Sequence, residues 1–392
     1  MQIAVLKEDA AVERRVAATP ETVKKLIAAG ASVAVEKGAG AGSSIADAAF
    51  KEAGATIAAT TAACLKGANL ILCVRRPDAK ALKSAPKGAA VVALMDPFGN
   101  EAALQGFADA GLSSFSLELV PRITRAQVMD VLSSQANLAG YQAVIEASAN
   151  FGQAMPMMMT AAGTIPAARV FVMGAGVAGL QAIATARRLG AVITATDVRP
   201  AAKEQVESLG GKFIAVEDEE FKAAEDAGGY AKEMSDEYKA KQAELVADHI
   251  AKQDIVITTA LIPGRPAPRL VTKKMIAAMR DGSVIVDLAV ERGGNVEGAK
   301  PDEIVEVDGV SIIGYVNMAG RIAATASSLL ARNIYAFVEQ MIDKESGELK
   351  IDRDDEIVAA TLLTHDGSIV HSNFASQPAK KSDKSAKNGG DA

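Results

Sequence analysis

A chain of 392 residues has room for two or three domains. Its apolar content is high, at 49 %, but only 4 % is aromatic and Trp is absent, so the cores must be built from Ala, Val, Ile, Leu and Met. The net charge of −6 argues against nucleic acid as the main partner. The two cysteines, Cys64 and Cys73, lack metal-ligand spacing and suggest no disulfide framework, so they read as small buried hydrophobes in a reducing compartment.

The chain enters a strand pattern at once, Gln2–Leu6, with no basic-then-apolar leader, so no signal peptide is expected. Pro20–Ala29 reads as an amphipathic helix with Thr19 as N-cap and Gly30 as stop. Strands follow at Ser32–Glu36, Thr56–Ala58, Asn69–Val74, Ala89–Leu94 and Leu112–Ser116. Helices near Ile45–Ala53, Thr60–Leu65 and Glu101–Ala110 separate them. Strands and helices alternating on short connections mean a parallel sheet covered on both faces. The first 120 residues therefore read as one α/β domain, and they carry no glycine-rich phosphate fingerprint.

Ile123–Asn150 reads as one long helix of the kind that bridges domains. Gln127, Asp130, Ser133, Ser134 and Asn137 fall on one face at helical spacing, and Arg122 stands just before it. That face is either solvated surface or part of a site. The nearest approach to a membrane span, Ala154–Ala186, is broken by Pro156, Gly163, Pro166, Arg169 and a glycine loop, and is rejected.

The stretch Arg169–Asp197 organises the rest. An apolar strand, Val170–Met173, runs into G-x-G-x-x-G at Gly174, Gly176 and Gly179. A helix, Leu180–Leu189, is closed by Gly190, and a second strand, Val192–Thr196, ends at Asp197. This context is the one that gives the motif meaning. The first glycine makes the tight turn, the second lets backbone approach a pyrophosphate, and the third lets helix and strand pack. The helix N-terminus supplies N–H groups and a positive dipole end to the phosphates. Asp197 would accept hydrogen bonds from an adenosine ribose 2′-OH and repel a 2′-phosphate, which favours NAD. Arg199, two residues on, could soften that preference. A glycine turn with no ligand is the alternative.

Six strands are predicted over residues 169–316: Val170–Met173, Val192–Thr196, Lys212–Val216, Ile255–Thr259, Val284–Asp287 and Ser311–Gly314. They make a full doubly wound dinucleotide domain, with Thr259–Arg265, Asp287–Asn295 and Tyr315–Arg321 facing the site. Glu217–Lys241, split by Gly228-Gly229-Tyr230, is either a lid on a glycine hinge or an ordinary exposed insert. A second long helix, Ala323–Met341, should return the chain to the first domain. Ile357–Leu362 and Ser368–His371 read as late strands or extended segments, and Pro378–Ala392 as a disordered polar tail.

With these features placed, the chain resembles the alanine dehydrogenase/transhydrogenase group of NAD proteins over roughly residues 1–375. The resemblance is closest to the soluble NAD(H)-binding component of proton-translocating NAD(P) transhydrogenases, in the form where that component is a separate alpha subunit. It is carried by Arg14-Arg15-Val-Ala, PRITRAQVMDVLSSQANLAGY at Pro121–Tyr141, MMMTAAGTIPAARV at Met157–Val170 and GAGVAGLQAIATARRLGA at Gly174–Ala191. Further motifs are ATDVR at Ala195–Arg199, EQVESLGGKF at Glu204–Phe213, AGGYAKEM at Ala227–Met234, TTALIPGRPAP at Thr258–Pro268 and VDLAVERGGN at Val286–Asn295.

The resemblance implies two Rossmann-like doubly wound α/β domains with parallel sheets, joined by two long helices, with an NAD cleft between them. The division would be 1–125 plus 335–378, then 126–334, with 379–392 as a tail. It implies that Arg122, Gln127, Asp130 and Ser133 line the nicotinamide end, that Asp197 binds the adenosine ribose, and that Tyr230 sits on a mobile loop with Met234 close behind. Val177, Ala178, Val198, Thr259, Ala260, Leu261 and Glu291 complete the cofactor-contacting set with Gly174, Gly176 and Gly179. No metal is expected. It further implies a homodimer, docked through membrane-embedded alpha-2 and beta subunits at the cytoplasmic face of the inner membrane.

The residues also bear on the branch of the group. Alanine dehydrogenase chemistry needs proton transfer, and the family supplies it with a histidine and an aspartate. Their places here hold Met95-Asp96-Pro97 and Glu291, while the three histidines, His249, His365 and His371, lie elsewhere. Arg15 and Arg75 resemble the dehydrogenase's substrate-carboxylate contacts, or are arginines making structural ion pairs. Hydride transfer from NADH to NADP+ requires proximity and no general base. One dinucleotide fingerprint is present, so NADP(H) would sit on a partner. The other readings are an alanine dehydrogenase-like oxidoreductase and an NAD-sensing binding module.

Overall fold

The computed structural model describes residues 1–224, 234–262, 264–343 and 345–375. Six short apolar runs near the N-terminus form β1 (Gln2–Val5), β2 (Ser32–Glu36), β3 (Thr56–Ala58), β4 (Leu70–Arg75), β5 (Ala90–Leu94) and β6 (Ser113–Ser116). All pair in parallel in the order β3-β2-β1-β4-β5-β6. Burial runs unbroken from Leu70 to Val74 of β4 and along β6, as expected where helices cover both faces of a parallel sheet. The first helix, Pro20–Ala28, starts on a capping box between Thr19 and Thr22.

An antiparallel hairpin, β7 (Met158–Thr160) and β8 (Gly163–Ile165), stands apart from both sheets. The second sheet contains β9 (Arg169–Met173), β10 (Val192–Thr196), β11 (Lys212–Phe213), β12 (Ile255–Thr258), β13 (Val284–Asp287), β14 (Ile304–Val307) and β15 (Val310–Ile313). Its order is β11-β10-β9-β12-β13-β15-β14. The parallel part repeats the reversal of the first sheet, with the switch point between β9 and β12. β14 alone is antiparallel, an edge strand absent from the sequence reading. Its turn, Asp308-Gly309, has positive φ at both residues (49° and 75°), the signature of a tight hairpin.

The chain then returns along the Ala323–Glu339 helix, whose buried Leu330, Ile334, Phe337 and Val338 join the core under β1, β2 and β4. It ends in β16 (Leu362–His365) and β17 (Ser368–Ile369), with β16 antiparallel to β6 in the first sheet.

Two predicted elements need correction. Ile123–Asn150 is not one helix. A 3-10 turn, Thr124–Met129, stops at Asp130 (φ −72°, ψ 88°), and the α-helix Val131–Asn150 starts there. The cause is capping: the Asp130 carboxylate accepts from the Ser133 N–H (2.9 Å) and Oγ–H (2.6 Å). Val131 lies in the first core, while Ala143, Val144 and Ala147 lie in the second, so the helix ties the cores together. Likewise, Ile357–Leu362 is not a strand. Asp355 accepts from the N–H groups of Ile357 (2.8 Å) and Val358 (3.3 Å), which starts a helix at Glu356–Thr361 and delays the strand to Leu362.

Candidate functional site

The glycine loop leaves β9 beside the switch point. Gly174 has φ +106°, and a Cβ there would lie 2.4 Å from Thr259 Oγ1. A Cβ on Gly179 would lie 1.8 Å from the Gly174 carbonyl oxygen. Both glycines are therefore demanded by the fold. Gly176 is different: its φ is −77°, and a Cβ would meet nothing within 4 Å. It caps the helix Val177–Arg188 without a side chain, and the helix's first turn closes from Leu180 N–H to Gly176 O (2.8 Å). The N–H groups of Val177, Ala178 and Gly179 thus point out of the helix N-terminus. An open backbone approach under a positive helix end fits a pyrophosphate.

Asp197 is nearly buried at the end of β10. One oxygen accepts from the Ala175 N–H (2.7 Å), fixing the glycine loop. Arg199 grips both oxygens through Nε (2.9 Å) and a terminal nitrogen (3.0 Å). The carboxylate stands where a ribose would be read, and it also holds the neighbouring arginine. Val198 is exposed beside it.

Across the switch point, the Thr259 Oγ–H donates to Gly174 O (3.1 Å). Ala260 is clamped through both backbone groups by fully buried Asn295, whose Oδ1 accepts from Ala260 N–H (3.0 Å) and whose Nδ2 donates to Ala260 O (2.9 Å). Fully buried Asp287 accepts from the N–H groups of Ala289 (2.9 Å) and Val296 (3.0 Å), pinning the base of the next loop. Leu261 and Val177 are both exposed.

The nicotinamide-end candidates lie on the bridging helix and the turn before it. Gln127 and Arg122 are exposed, and Asp130 and Ser133 form the cap described above. Further along, a Cβ on Gly140 would lie 2.0 Å from the Ala178 carbonyl oxygen, so the helix lies directly on the glycine-loop helix. At 1.5 Å per residue, Ser133 and Asp130 stand about 10–15 Å along the axis from that contact. The expected single helical face is not formed, because Asp130 is a cap and Gln127 belongs to the 3-10 turn. Met234 is buried in the second core. Tyr230 lies outside the described residues, as do Gly228 and Gly229 of the expected hinge.

Sequence reasoning missed a buried network at the carboxyl end of the first sheet. Glu13 is clasped by Arg15 through Nε (2.8 Å) and a terminal nitrogen (2.7 Å), by Arg75 Nε (3.1 Å) and by Asn317 Nδ2 (3.0 Å). Burial alone would raise its carboxyl, but the hydrogen bonds and charge of Arg15 prevail and hold it at about 2. Nearby, burial pushes Glu8 up to about 7, against the pull of the Val74 N–H it accepts (2.6 Å) and aided by the charge of Glu13. Arg75 reaches on to Glu291 (3.1 Å), and Arg292 pairs with Asp96. Arg15 and Arg75 thus both make ion pairs. No histidine is at the site: His249 pairs with Thr194, His365 with Ser113 and His371 with the Ala360 carbonyl. Among the described residues no group of side chains is arranged to hold a metal, and no helix is long and apolar enough to cross a membrane.

Comparison with known proteins divides the chain near residue 140. Residues 4–139 match the family "Alanine dehydrogenase/PNT, N-terminal domain" and residues 143–372 "Alanine dehydrogenase/PNT, C-terminal domain". The chain is 52 % identical to the NAD(P) transhydrogenase alpha subunit (its first component) of Rhodospirillum rubrum, over 97 % of its own length and 100 % of that protein's. A crystal structure of transhydrogenase from Sinorhizobium meliloti superposes with a TM-score of 0.86 at 59 % identity, covering 94 % of this chain and 100 % of that one. Alanine dehydrogenase from Halomonas elongata is 30 % identical over 95 % of each chain.

Proposed function

The chain belongs to the alanine dehydrogenase/PNT family, in its transhydrogenase alpha subunit branch, and from that premise we propose that it binds NAD(H) and exchanges a hydride with NADP(H) held on a partner subunit. One observation carries this over the dehydrogenase alternative. The two places where a dehydrogenase would keep its acid–base pair hold Met95-Asp96-Pro97 and Glu291, and both carboxylates there, Asp96 and Glu291, are ion-paired to an arginine. All three histidines are engaged elsewhere, so the side chain that most often moves the proton in amino-acid chemistry stands at neither place.

When bound, the nicotinamide would supply the hydride, and the chain's task is orientation and exclusion of water. Gly176 and the helix N–H groups hold the pyrophosphate, and Asp197 reads the adenosine ribose. The Thr259–Leu261 loop closes one wall with Val177, Ala178 and Val198, and Glu291 completes it. Gln127 and Arg122 present an amide and a cation at the nicotinamide end. The Ser133 hydroxyl donates to Asp130 and keeps its lone pairs for a carboxamide N–H. Val128, next to Gln127, and Leu132, in the first turn of the helix, are exposed and give a docking partner apolar surface to cover.

The remaining parts of the proposal are coarser. We take 1–125 with 335–378 as one domain and 126–334 as the other, because β16 joins the first sheet. The subunit would act as a homodimer. The segment 152–168, free of charged side chains and with Met159 81 % exposed on the β7–β8 hairpin, supports that. It would sit on membrane-embedded alpha-2 and beta subunits at the cytoplasmic face, with hydride transfer coupled to proton movement there.

The test mixes the purified chain with a recombinant NADP(H)-binding domain of a transhydrogenase. Reduction of acetylpyridine adenine dinucleotide by NADH is followed in the presence of NADP(H), beside a parallel assay with pyruvate and ammonia. Transfer that requires both proteins is expected. Alanine-linked activity of the chain alone would overturn the proposal.

A further inference from the structure

The carboxyl ends of the two sheets meet through side chains of crossed charge. The first sheet presents Arg75, the last residue of β4, and Asp96, just beyond β5. The second presents Glu291 and Arg292, in the turn beyond β13. Arg75 pairs with Glu291 (3.1 Å) and Asp96 with Arg292, so plus and minus on one side meet minus and plus on the other.

Each partner is rigidly mounted. Arg75 is held from behind by Glu13 (3.1 Å), itself fixed by Arg15. Asp96 sits at φ +45°, and the Glu118 carboxylate accepts from the N–H groups of Met95 (2.9 Å) and Asp96 (2.6 Å). Arg76 donates to the carbonyls of the same two residues (2.6 and 2.9 Å). On the opposite side, Val290–Arg292 form a 3-10 turn closed by Gly293 at φ +92° and bracketed by the hydrogen bonds of buried Asp287.

Such mounting is not explained by stability. The paired side chains are roughly one-third to one-half exposed, and surface ion pairs add little to folding. Crossed charges on rigid mounts do fix register and orientation. We infer that Arg75, Asp96, Glu291 and Arg292 form an electrostatic clasp that sets how far the two sheets close over the dinucleotide. Arg75, Asp96 and Arg292 are positioning residues, Glu291 belongs to both the clasp and the site wall, and the inference rests on the NAD(H)-binding reading above.

The experiment places spin labels on the full chain at Lys51→Cys and Lys274→Cys, exposed sites on the two sides, and measures the distance distribution with and without NADH. Arg292→Glu puts like charges against Asp96. The expected result is a longer, broader distance and an NADH Kd raised about tenfold. Adding Asp96→Asn, which tolerates the left-handed backbone, should reverse most of both effects. Raising KCl should lengthen the wild-type distance and shorten that of Arg292→Glu, because it screens attraction in the first and repulsion in the second. Arg75→Met provides a second break, in the same direction, should Arg292→Glu fail to fold. An unchanged distance in both variants, or no recovery with Asp96→Asn, overturns the clasp. The distance readout needs no partner or turnover, so a failed transhydrogenase assay with responsive distances would sink the proposed function and leave the clasp standing.

Discussion

Gly176→Ala separates what the fold requires from what the ligand requires. At φ −77° and ψ −168° alanine is sterically at ease, and its Cβ would meet no atom of the chain within 4 Å. Replacing glycine there gains about 0.4–1 kcal/mol by restricting the unfolded chain. It loses a similar amount because alanine is a poorer N-cap. The melting temperature should therefore stay within about 3 °C of wild type. A pyrophosphate lying on this backbone would meet the new methyl group directly. Overpacking of that kind costs about 1–3 kcal/mol, an NADH affinity lower by roughly 5- to 150-fold. Fluorescence titration with NADH beside a thermal melt reads both quantities. Gly179→Ala is the contrast: its Cβ falls 1.8 Å from the Gly174 oxygen, so stability and binding should fail together. If Gly176→Ala binds NADH within about twofold of wild type, the phosphates do not cross this residue and the reading of the loop is wrong.

Asp197→Ala removes the ribose acceptor and releases the Arg199 guanidinium from its two-pronged pair, so NADH should weaken about tenfold while discrimination against NADPH relaxes. An unchanged ratio of the two affinities would move the ribose contact elsewhere. Gln127→Asn should slow hydride transfer strongly with partner present and leave NADH affinity within about threefold, since it withdraws one orienting amide. Equal turnover would remove Gln127 from the nicotinamide end. Glu8→Gln bears on pH. The Glu8 carboxyl titrates at about 7 in the fold and at its ordinary 4.5 in the unfolded chain, so the fold holds its proton longer and stability declines as pH rises between those values. Denaturant melts at about pH 5 and about pH 8 should show a smaller decline in Glu8→Gln than in wild type. Glu13 contributes oppositely, its stabilisation fading only as pH falls from 4.5 towards about 2. An undiminished decline in Glu8→Gln would mean that another group carries it.

Where local chemistry decides structure, the sequence was legible. Thr19 and Gly30 bracket the first helix, apolar runs mark every parallel strand, and the Gly174–Gly179 spacing forecasts a loop whose three glycines have distinct steric roles. The failures have local physical causes too. Asp130 and Asp355 each start a helix by accepting backbone N–H groups, and neither was read as a cap inside a long apolar pattern. The Asp308-Gly309 pair is itself a hairpin signal, one that apolar patterning of strands does not use. Contacts between distant segments are another matter. Arg75 meets Glu291 across 216 positions, and Gly140 matters only because Ala178 lies against it. No periodicity or propensity carries such pairings.

Those distant contacts bear most directly on the two branches of the family. An enzyme acting on a small keto acid needs a cation to hold the carboxylate and a titrating group to move a proton. In this chain Arg15 and Arg75 converge on an internal carboxylate, Glu13, and Arg75 also reaches Glu291. Asp96 is matched by Arg292, so Glu291 and Asp96 each spend their carboxylate on an ion pair within the chain. The charged groups Glu13, Arg15, Arg75, Asp96, Glu291 and Arg292 face one another. That arrangement is costly for acid–base chemistry and suited to a reaction in which both reacting groups belong to cofactors. What remains for the protein is to set distance, angle and dryness, and rigidly mounted ion pairs between two sheets can act on all three.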